Sequence, residues 1–108
     1  MNRIIVSVYD TAAACYLRPF YCLSDAEAIR TFQDICVADD HPISAHPEDY
    51  SLVRLGVFND SDGIFHSADK ITLITGNEAV AMSRRIVPGS LQDFNGSPEV
   101  TNVVNDKE

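Results

Sequence analysis

The sequence contains no tryptophan, few basic residues and no long apolar run. Its 8 lysines and arginines are outnumbered by 16 acidic residues, so the formal net charge is −8 at pH 7. A protein that holds DNA mainly through its phosphates needs a basic surface, and this charge therefore counts against strong sequence-independent binding of DNA. No apolar run approaches the roughly 20 residues of a membrane-spanning helix. We therefore expect a soluble, cytoplasmic protein without a membrane segment.

Cysteine is scarce, and its spacing does not indicate a disulfide framework. The three cysteines, Cys15, Cys22 and Cys36, are odd in number and form no C-x-x-C pair. A zinc ribbon is excluded by the same spacing. Free thiols in a reducing compartment are the expected state.

Motifs of catalysis are also missing. The chain has no G-x-S-x-G, no S-x-x-K and no glycine-rich phosphate loop, which excludes the commonest nucleophile and nucleotide sites. Two histidines, His41 and His46, share an acidic loop over residues 38–49, but two prolines and an unrecognised ligand spacing favour a solvated loop over a metal site. We expect no enzymatic activity, no metal and no cofactor.

What is present indicates one small globular domain followed by a tail. The apolar content of 45% over 108 residues is normal for a single folded domain. Beyond Pro88 the chain is rich in Gly, Ser, Pro, Asn and acids, a composition typical of disorder. The sequence predicts a domain over residues 1–86 and a flexible acidic tail over residues 87–108.

Two strands are predicted near the N-terminus. Residues 4–9 are apolar and β-branched, and as a strand they place Ile4, Val6 and Val8 on one face and Ile5, Ser7 and Tyr9 on the other. Residues 15–18 are expected to pair antiparallel with this strand after a short connection. Pro19 cannot donate to a strand ladder, so it predicts an edge strand or a strand end.

A helix over residues 25–37 is the clearest element. Ser24 and Glu27 form an S-x-x-E capping box at its start. At 100° per residue an apolar arc of about 120° follows, with Phe32 at its centre. The arc consists of Ala28, Ile29, Phe32, Ile35 and Cys36.

Two further strands and a short helix complete the predicted fold. Residues 50–58 form a strand whose inward face is predicted as Val53, Leu55 and Val57. After a turn at 59–63, residues 64–65 begin the return, and residues 70–75 form another strand. Residues 77–85 predict a short helix capped by Asn77. The order strand-strand-helix-strand-strand predicts an α+β fold, with an antiparallel sheet of about four strands and the main helix on one face.

Candidate binding residues cluster around the second strand. In an extended chain Tyr16, Arg18 and Phe20 would point the same way and place a guanidinium between two rings, the arrangement that single-stranded nucleic acid binders use. The alternative is that the rings belong to the core and Arg18 pairs with an acid. The full set of candidate nucleic-acid-binding residues is Tyr16, Arg18, Phe20, Arg54, Arg84 and Arg85.

Four motifs resemble one known family. They are V-Y-D followed by A, Y and P-F over residues 8–20, A-I-R-x-F over 28–32, H-P-E-D-Y-S-L over 46–52, and L-G-V-F-N-D with a glycine over 55–63. Together, over residues 4–76, they resemble the small non-structural protein of gokushoviruses, single-stranded-DNA phages of the Microviridae. The resemblance implies a DNA-binding protein that serves the switch from double-stranded replication to single-strand synthesis and packaging in the host cytoplasm.

Two functions remain open at this point. The first is an accessory replication protein that binds single-stranded DNA as a homo-oligomer, most simply a dimer, because residues 70–75 are apolar on both faces and guarded only by Lys70. The second is an acidic protein–protein adaptor that contacts a replication, capsid or host protein without binding DNA. The slope of binding against salt distinguishes them, because only phosphate contacts release counterions.

Overall fold

The computed structural model describes residues 1–86, with side chains as far as Ser83; the predicted tail over 87–108 lies outside the described residues. The strands are β1 (Asn2–Asp10), β2 (Cys15–Tyr16), β3 (Phe20–Cys22), β4 (Tyr50–Asn59) and β5 (Ile64–Thr75). The helices are α1 (Asp25–Cys36), α2 (Pro42–Ala45) and α3 (Gly76–Ile86), with a 3₁₀ turn at Pro47–Asp49. This is the predicted α+β class.

All strand pairs are antiparallel. The sheet runs in the order β2-β1-β4-β5, and β3 follows β2 along the same side of β1. Leu17, Arg18 and Pro19 separate β2 from β3, so Pro19 marks a break in an edge strand, as predicted. β5 begins at Ile64, where the return was predicted to begin, and it continues as one strand through the segment that was predicted separately over residues 70–75. Gly63 in the turn at residues 59–63 has a φ of 74°, a value that glycine adopts without strain.

Helix α1 confirms the prediction made from the capping box. The Ser24 hydroxyl accepts a hydrogen bond from the Glu27 backbone N–H at 3.2 Å, and the Glu27 carboxylate accepts one from the N–H of Leu23 at 2.7 Å. Phe32 is completely buried. The rest of the predicted arc is buried or packed against the core, which is made of Val6, Val8, Cys22, Ala28, Phe32, Cys36, Ile43, Leu52, Ile74 and Ala79.

The loop predicted over residues 38–49 contains a short helix and a 3₁₀ turn. His41 caps α2, since its Nδ1 accepts a hydrogen bond from the Ile43 N–H at 3.1 Å, and Pro42 occupies the first turn, where no amide donor is needed. Ile43 is buried in the core. A single apolar residue in a polar stretch therefore anchors this connection.

Helix α3 begins one residue earlier than predicted and has a different cap. Thr75, not Asn77, precedes the helix: its hydroxyl accepts from the Glu78 N–H at 3.2 Å, and the Glu78 carboxylate accepts from the Thr75 N–H at 2.9 Å. This T-x-x-E capping box satisfies two amides, whereas Asn77 would satisfy one. Gly76 is needed directly after it, because a side chain there would collide with the backbone oxygen of Pro47.

The predicted inward face of β4 is wrong for Val53 and Leu55. The register pairs Leu52 with Val8 and Arg54 with Val6, so Leu52 and Arg54 face the helices, and Val53 faces away. Between Arg54 and Gly56 the register shifts, leaving Leu55 as the extra residue of a bulge. A bulge reverses the side-chain alternation, and the sequence pattern does not reveal its position. The predicted alternation of β1 is confirmed, with Val6 and Val8 in the core.

Candidate functional site

The sheet has two different faces. α1 and α3 pack on one of them, together with the core, and among the described residues no helix lies on the other, which we call the uncovered face. Strand alternation and register place on the uncovered face Arg3, Ile5, Ser7, Tyr9, Tyr16, Tyr21, Ser51, Val53, Gly56, Phe58, Phe65, Ser67, Thr72 and Thr75. Five of the nine aromatic residues of the chain belong to this set.

One end of the uncovered face carries a pair of tyrosines. Tyr9 of β1 and Tyr16 of β2 are cross-strand partners, and their ring centroids lie 4.9 Å apart at a tilt of 57°. Tyr16 is 41% exposed. The ammonium of Lys70, from β5 at the opposite edge of the sheet, lies 5.7 Å from the Tyr16 ring centroid. This distance is within the range of a cation–π contact.

Beneath this bridge the middle of the uncovered face is closed to solvent. Ser7 and Val53 are cross-strand partners on β1 and β4, and their exposures are 0% and 5%. The Ser7 hydroxyl donates a 2.6 Å hydrogen bond to the carbonyl oxygen of Leu17, so the buried polar group is satisfied. Their burial on a face without a helix shows that the sheet curls and brings its two edges towards each other.

The other end of the uncovered face carries a row of three rings. Tyr21 of β3 lies 5.6 Å from Phe58 of β4, and Phe58 lies 4.9 Å from Phe65 of β5, all measured between ring centroids. Tyr21 and Phe65 are 52% and 62% exposed. Beside the row, Gly56 of β4 pairs with Ile5 of β1 and with Ser67 of β5, and it contributes no side chain to this face. We call these three rings the aromatic row.

Within residues 1–86, the register positions of the uncovered face carry no acidic residue, although the chain holds 16 acidic residues. Arg3 is the cation at the aromatic row, and its Nε lies 3.1 Å from an oxygen of Asp60. Hydrogen bonds from the N-terminal amino group and from Arg3 lower the pKa of Asp60, so it stays ionised and neutralises part of the charge of Arg3.

The predicted alignment of Tyr16 with Phe20 is wrong. Tyr16 pairs with Tyr9 and lies on the uncovered face, whereas Phe20 pairs with Val6 and packs against the core on the helix side. Residues 17–19 leave the strand ladder, which breaks the alternation on which the prediction depended. Arg18 lies in this connection and is exposed; no ion pair is formed by it within the described part of the chain.

Arg54 has a structural partner. Its Nη1 lies 2.7 Å from Oδ2 of Asp25, the first residue of α1, and the side chain is 29% exposed. Arg54 therefore fastens the start of α1 to the helix side of the sheet and does not reach the uncovered face. Arg84 and Arg85 belong to the last turn of α3, and their side chains lie outside the described part of the structure.

Sequence reasoning missed most of the rings that meet on the uncovered face. Tyr9, Tyr21, Phe58 and Phe65 come from four strands, and Lys70 comes from a bulged segment of β5. The sequence did contain one signal: Tyr9 alternates with the core residues Val6 and Val8, which places it opposite the core. The register of the remaining strands is needed to bring the other rings beside it.

Within the described residues, neither a metal centre nor a membrane-spanning helix is present. No group of three or more His, Cys, Asp or Glu side chains lies close enough to hold a metal ion. In that same region none of the helices has the length and apolar character to cross a membrane. Cys15 is exposed, whereas Cys22 and Cys36 are buried free thiols.

Comparison with known proteins gives the family. A family model described as phage ORF5 protein matches residues 3–81, which include β1 to β5, α1 and the uncovered face. The chain belongs to the phage ORF5 protein family. Neither the curated proteins nor the solved structures gave a match for this phage ORF5 protein.

Proposed function

We propose that this phage protein is a non-enzymatic accessory factor of DNA replication that binds single-stranded DNA on the uncovered face of its sheet. The observation that carries the proposal is the concentration of five aromatic side chains on that face, with no acidic residue among its register positions. Every base has a face that can stack on a ring, so such a surface binds single strands with little sequence preference.

The net charge of −8 is compatible with this mode of binding. Stacking does not depend on phosphate neutralisation, and an aromatic surface without acids at its register positions lets a strand approach an acidic protein. Arg3 and Lys70 are cations on the side of the rings, and Arg18 lies in the connection between β2 and β3. If each contacts one phosphate, the slope of log K against log salt is about −2 or shallower, much weaker than for a basic DNA-binding domain.

The biological setting follows from the resemblance of residues 4–76 to the small non-structural protein of gokushoviruses. In that setting the protein acts in the host cytoplasm during the switch from double-stranded replication to single-strand synthesis and packaging. We propose that it does so as a homo-oligomer, a dimer in its simplest form. A phage replication or capsid protein is the partner to which the coated strand would be passed.

The direct test is a titration of the purified protein with labelled single- and double-stranded oligonucleotides of about 20 nucleotides, longer than most single-strand sites. Phe65→Leu removes one exposed ring of the aromatic row and should cost about 1–3 kcal/mol of binding free energy. Leu23→Ala is the matched control, because Leu23 is exposed just before α1. Arg54→Gln should leave the affinity unchanged, since Arg54 pairs with Asp25.

The second candidate function is the acidic adaptor. Exposed apolar side chains at the end of the β4–β5 hairpin, Ile64 and Phe65, favour it, because such surfaces also bind proteins. Absence of binding to either oligonucleotide, at low as well as high salt, would rule out the single-strand proposal in favour of this adaptor.

A further inference from the structure

The contact between Lys70 and Tyr16 crosses the whole width of the sheet. β5 and β2 lie at opposite edges, with β4 and β1 between them. In a flat sheet these edges would be about 14 Å apart, three times the spacing between strands. The ammonium nevertheless lies 5.7 Å from the ring centroid. The two side chains, which extend from the two edge strands, therefore meet above the curled face.

Lys70 belongs to a segment of β5 that has no cross-strand partners in the ladder with β4. The ladder between β4 and β5 pairs Gly56 with Ser67 and then Arg54 with Ile71, so residues 68–70 lie opposite Leu55 alone. Three residues facing one form a wide irregularity in which the extra residues lack ladder partners. This segment can move away from the face without breaking the strand pairs on either side of it.

The Lys70 ammonium group can also change its contact partner, from the Tyr16 ring to another group. Among the described residues Arg3 and Arg54 form ion pairs with carboxylates, whereas Lys70 forms none and contacts a ring. A cation–π contact at an exposed site is weak, and a phosphate oxygen is a stronger partner for an ammonium group. Replacing the ring by a phosphate would free the exposed surface of Tyr16.

We propose that Lys70 and Tyr16 form a clasp that closes over a single strand of DNA. Lys70 leaves the Tyr16 ring and binds a backbone phosphate, while bases stack on Tyr16 and Tyr9. The clasp selects single strands, because the bases of a duplex are already stacked on one another and offer no free face to the rings. This inference rests on the proposed function and adds the residue that contacts phosphate and the reason for strand selection.

The test is the salt dependence of binding to a single-stranded oligonucleotide. Lys70→Gln should reduce the magnitude of the slope of log K against log salt by about 0.7, the value for one lost contact to single-stranded phosphate. Arg30→Gln is the matched control: it makes the same change in net charge on the exposed side of α1 and should keep the wild-type slope. Lys70→Arg should restore the slope.

Tyr16→Leu separates stacking from charge. It should weaken binding about tenfold, the loss expected for one base stack, with the slope unchanged. A duplex of the same length should compete poorly with the single strand for the wild-type protein.

The outcomes are distinguishable. A wild-type protein that does not bind the oligonucleotide overturns both the proposed function and the clasp. Wild-type binding together with equal slopes for Lys70→Gln and Arg30→Gln overturns the clasp alone, as does equal competition by duplex.

Discussion

Gly56 lies where β5 approaches β4 so closely that no side chain fits. A methyl group on Gly56 would come within 2.6 Å of the backbone oxygen of His66. Because a backbone atom cannot rotate away, Gly56→Ala should displace β5 and lower the free energy of unfolding by about 1–3 kcal/mol. Chemical denaturation measures the loss. Ser67→Ala, at the exposed cross-strand partner, is the control and should change stability by less than about 0.5 kcal/mol. Equal stability of Gly56→Ala and wild type would contradict this close approach.

Cys36 makes stability depend on alkaline pH. Burial raises the pKa of its thiol to about 11, while in the unfolded chain a cysteine titrates near about 8.5. Between these values the unfolded chain loses a proton that the folded chain keeps, so stability should fall as pH rises through this range. Cys36→Ala should have a shallower fall in denaturation experiments between neutral and alkaline pH.

Cys15→Ala is the control for this pH dependence, because Cys15 is exposed, and it should keep the wild-type profile. The pKa of Cys22 is also raised, by burial and by the charge of Glu27, so part of the alkaline fall should remain in Cys36→Ala. An unchanged profile in that variant would mean that Cys36 is accessible to water.

At the scale of elements, α1 is the centre of the fold, and Phe32 is its main anchor. The side chain is completely buried between the sheet and the helices. Phe32→Ala should cost about 3–5 kcal/mol of unfolding free energy, through lost apolar burial and the cavity left behind. Phe65→Ala deletes the same atoms from an exposed position and should cost much less. A melting temperature that is unchanged by Phe32→Ala would contradict the burial of Phe32 between α1 and the sheet.

The elements that could be predicted are those whose signals are local. The cap of α1 depends on Ser24 and Glu27, three residues apart, and its buried stripe depends on helical periodicity alone. β1 alternates without interruption, so Val6 and Val8 were placed correctly. Both signals lie within about ten residues of sequence, so they can be recognised without knowing how the strands pair.

The candidate site could not be predicted in the same way. Tyr16 and Phe20 lie on opposite faces because residues 17–19 have no cross-strand partners, and Val53 faces away from the core because of the bulge at Leu55 in β4. Bulges have no fixed sequence signature at a given position. The contact of Lys70 with Tyr16 depends on the curl of the whole sheet, and this curl is a property of all the strands together.

At the scale of the whole molecule, the proposed binding on the uncovered face would reconcile an acidic chain with a nucleic-acid ligand. The paired acids, such as Asp25 with Arg54 and Asp60 with Arg3, lie at the helix side or at the hairpin turn. An aromatic surface between them can bind bases, while the net charge limits the phosphate contribution. A shallow salt slope is therefore expected of this fold, and a steep one would point to a different surface.

The edge of the sheet formed by β5 is the surface at which we expect two copies of the protein to assemble. β5 pairs only with β4 within the described structure, and residues 64–72 are all exposed, including Ile71 at 43%. An exposed edge with apolar side chains favours pairing with another copy, and two-fold dimers are the commonest closed assembly. We therefore expect a dimer mass in light scattering at micromolar concentration. Ile71→Lys places like charges at the edge and should give monomers, whereas Val37→Lys, an equally exposed apolar position after α1, should remain dimeric. A monomer mass for the wild-type protein would overturn this prediction, and the clasp of Lys70 and Tyr16 would then have to bind DNA within a single chain.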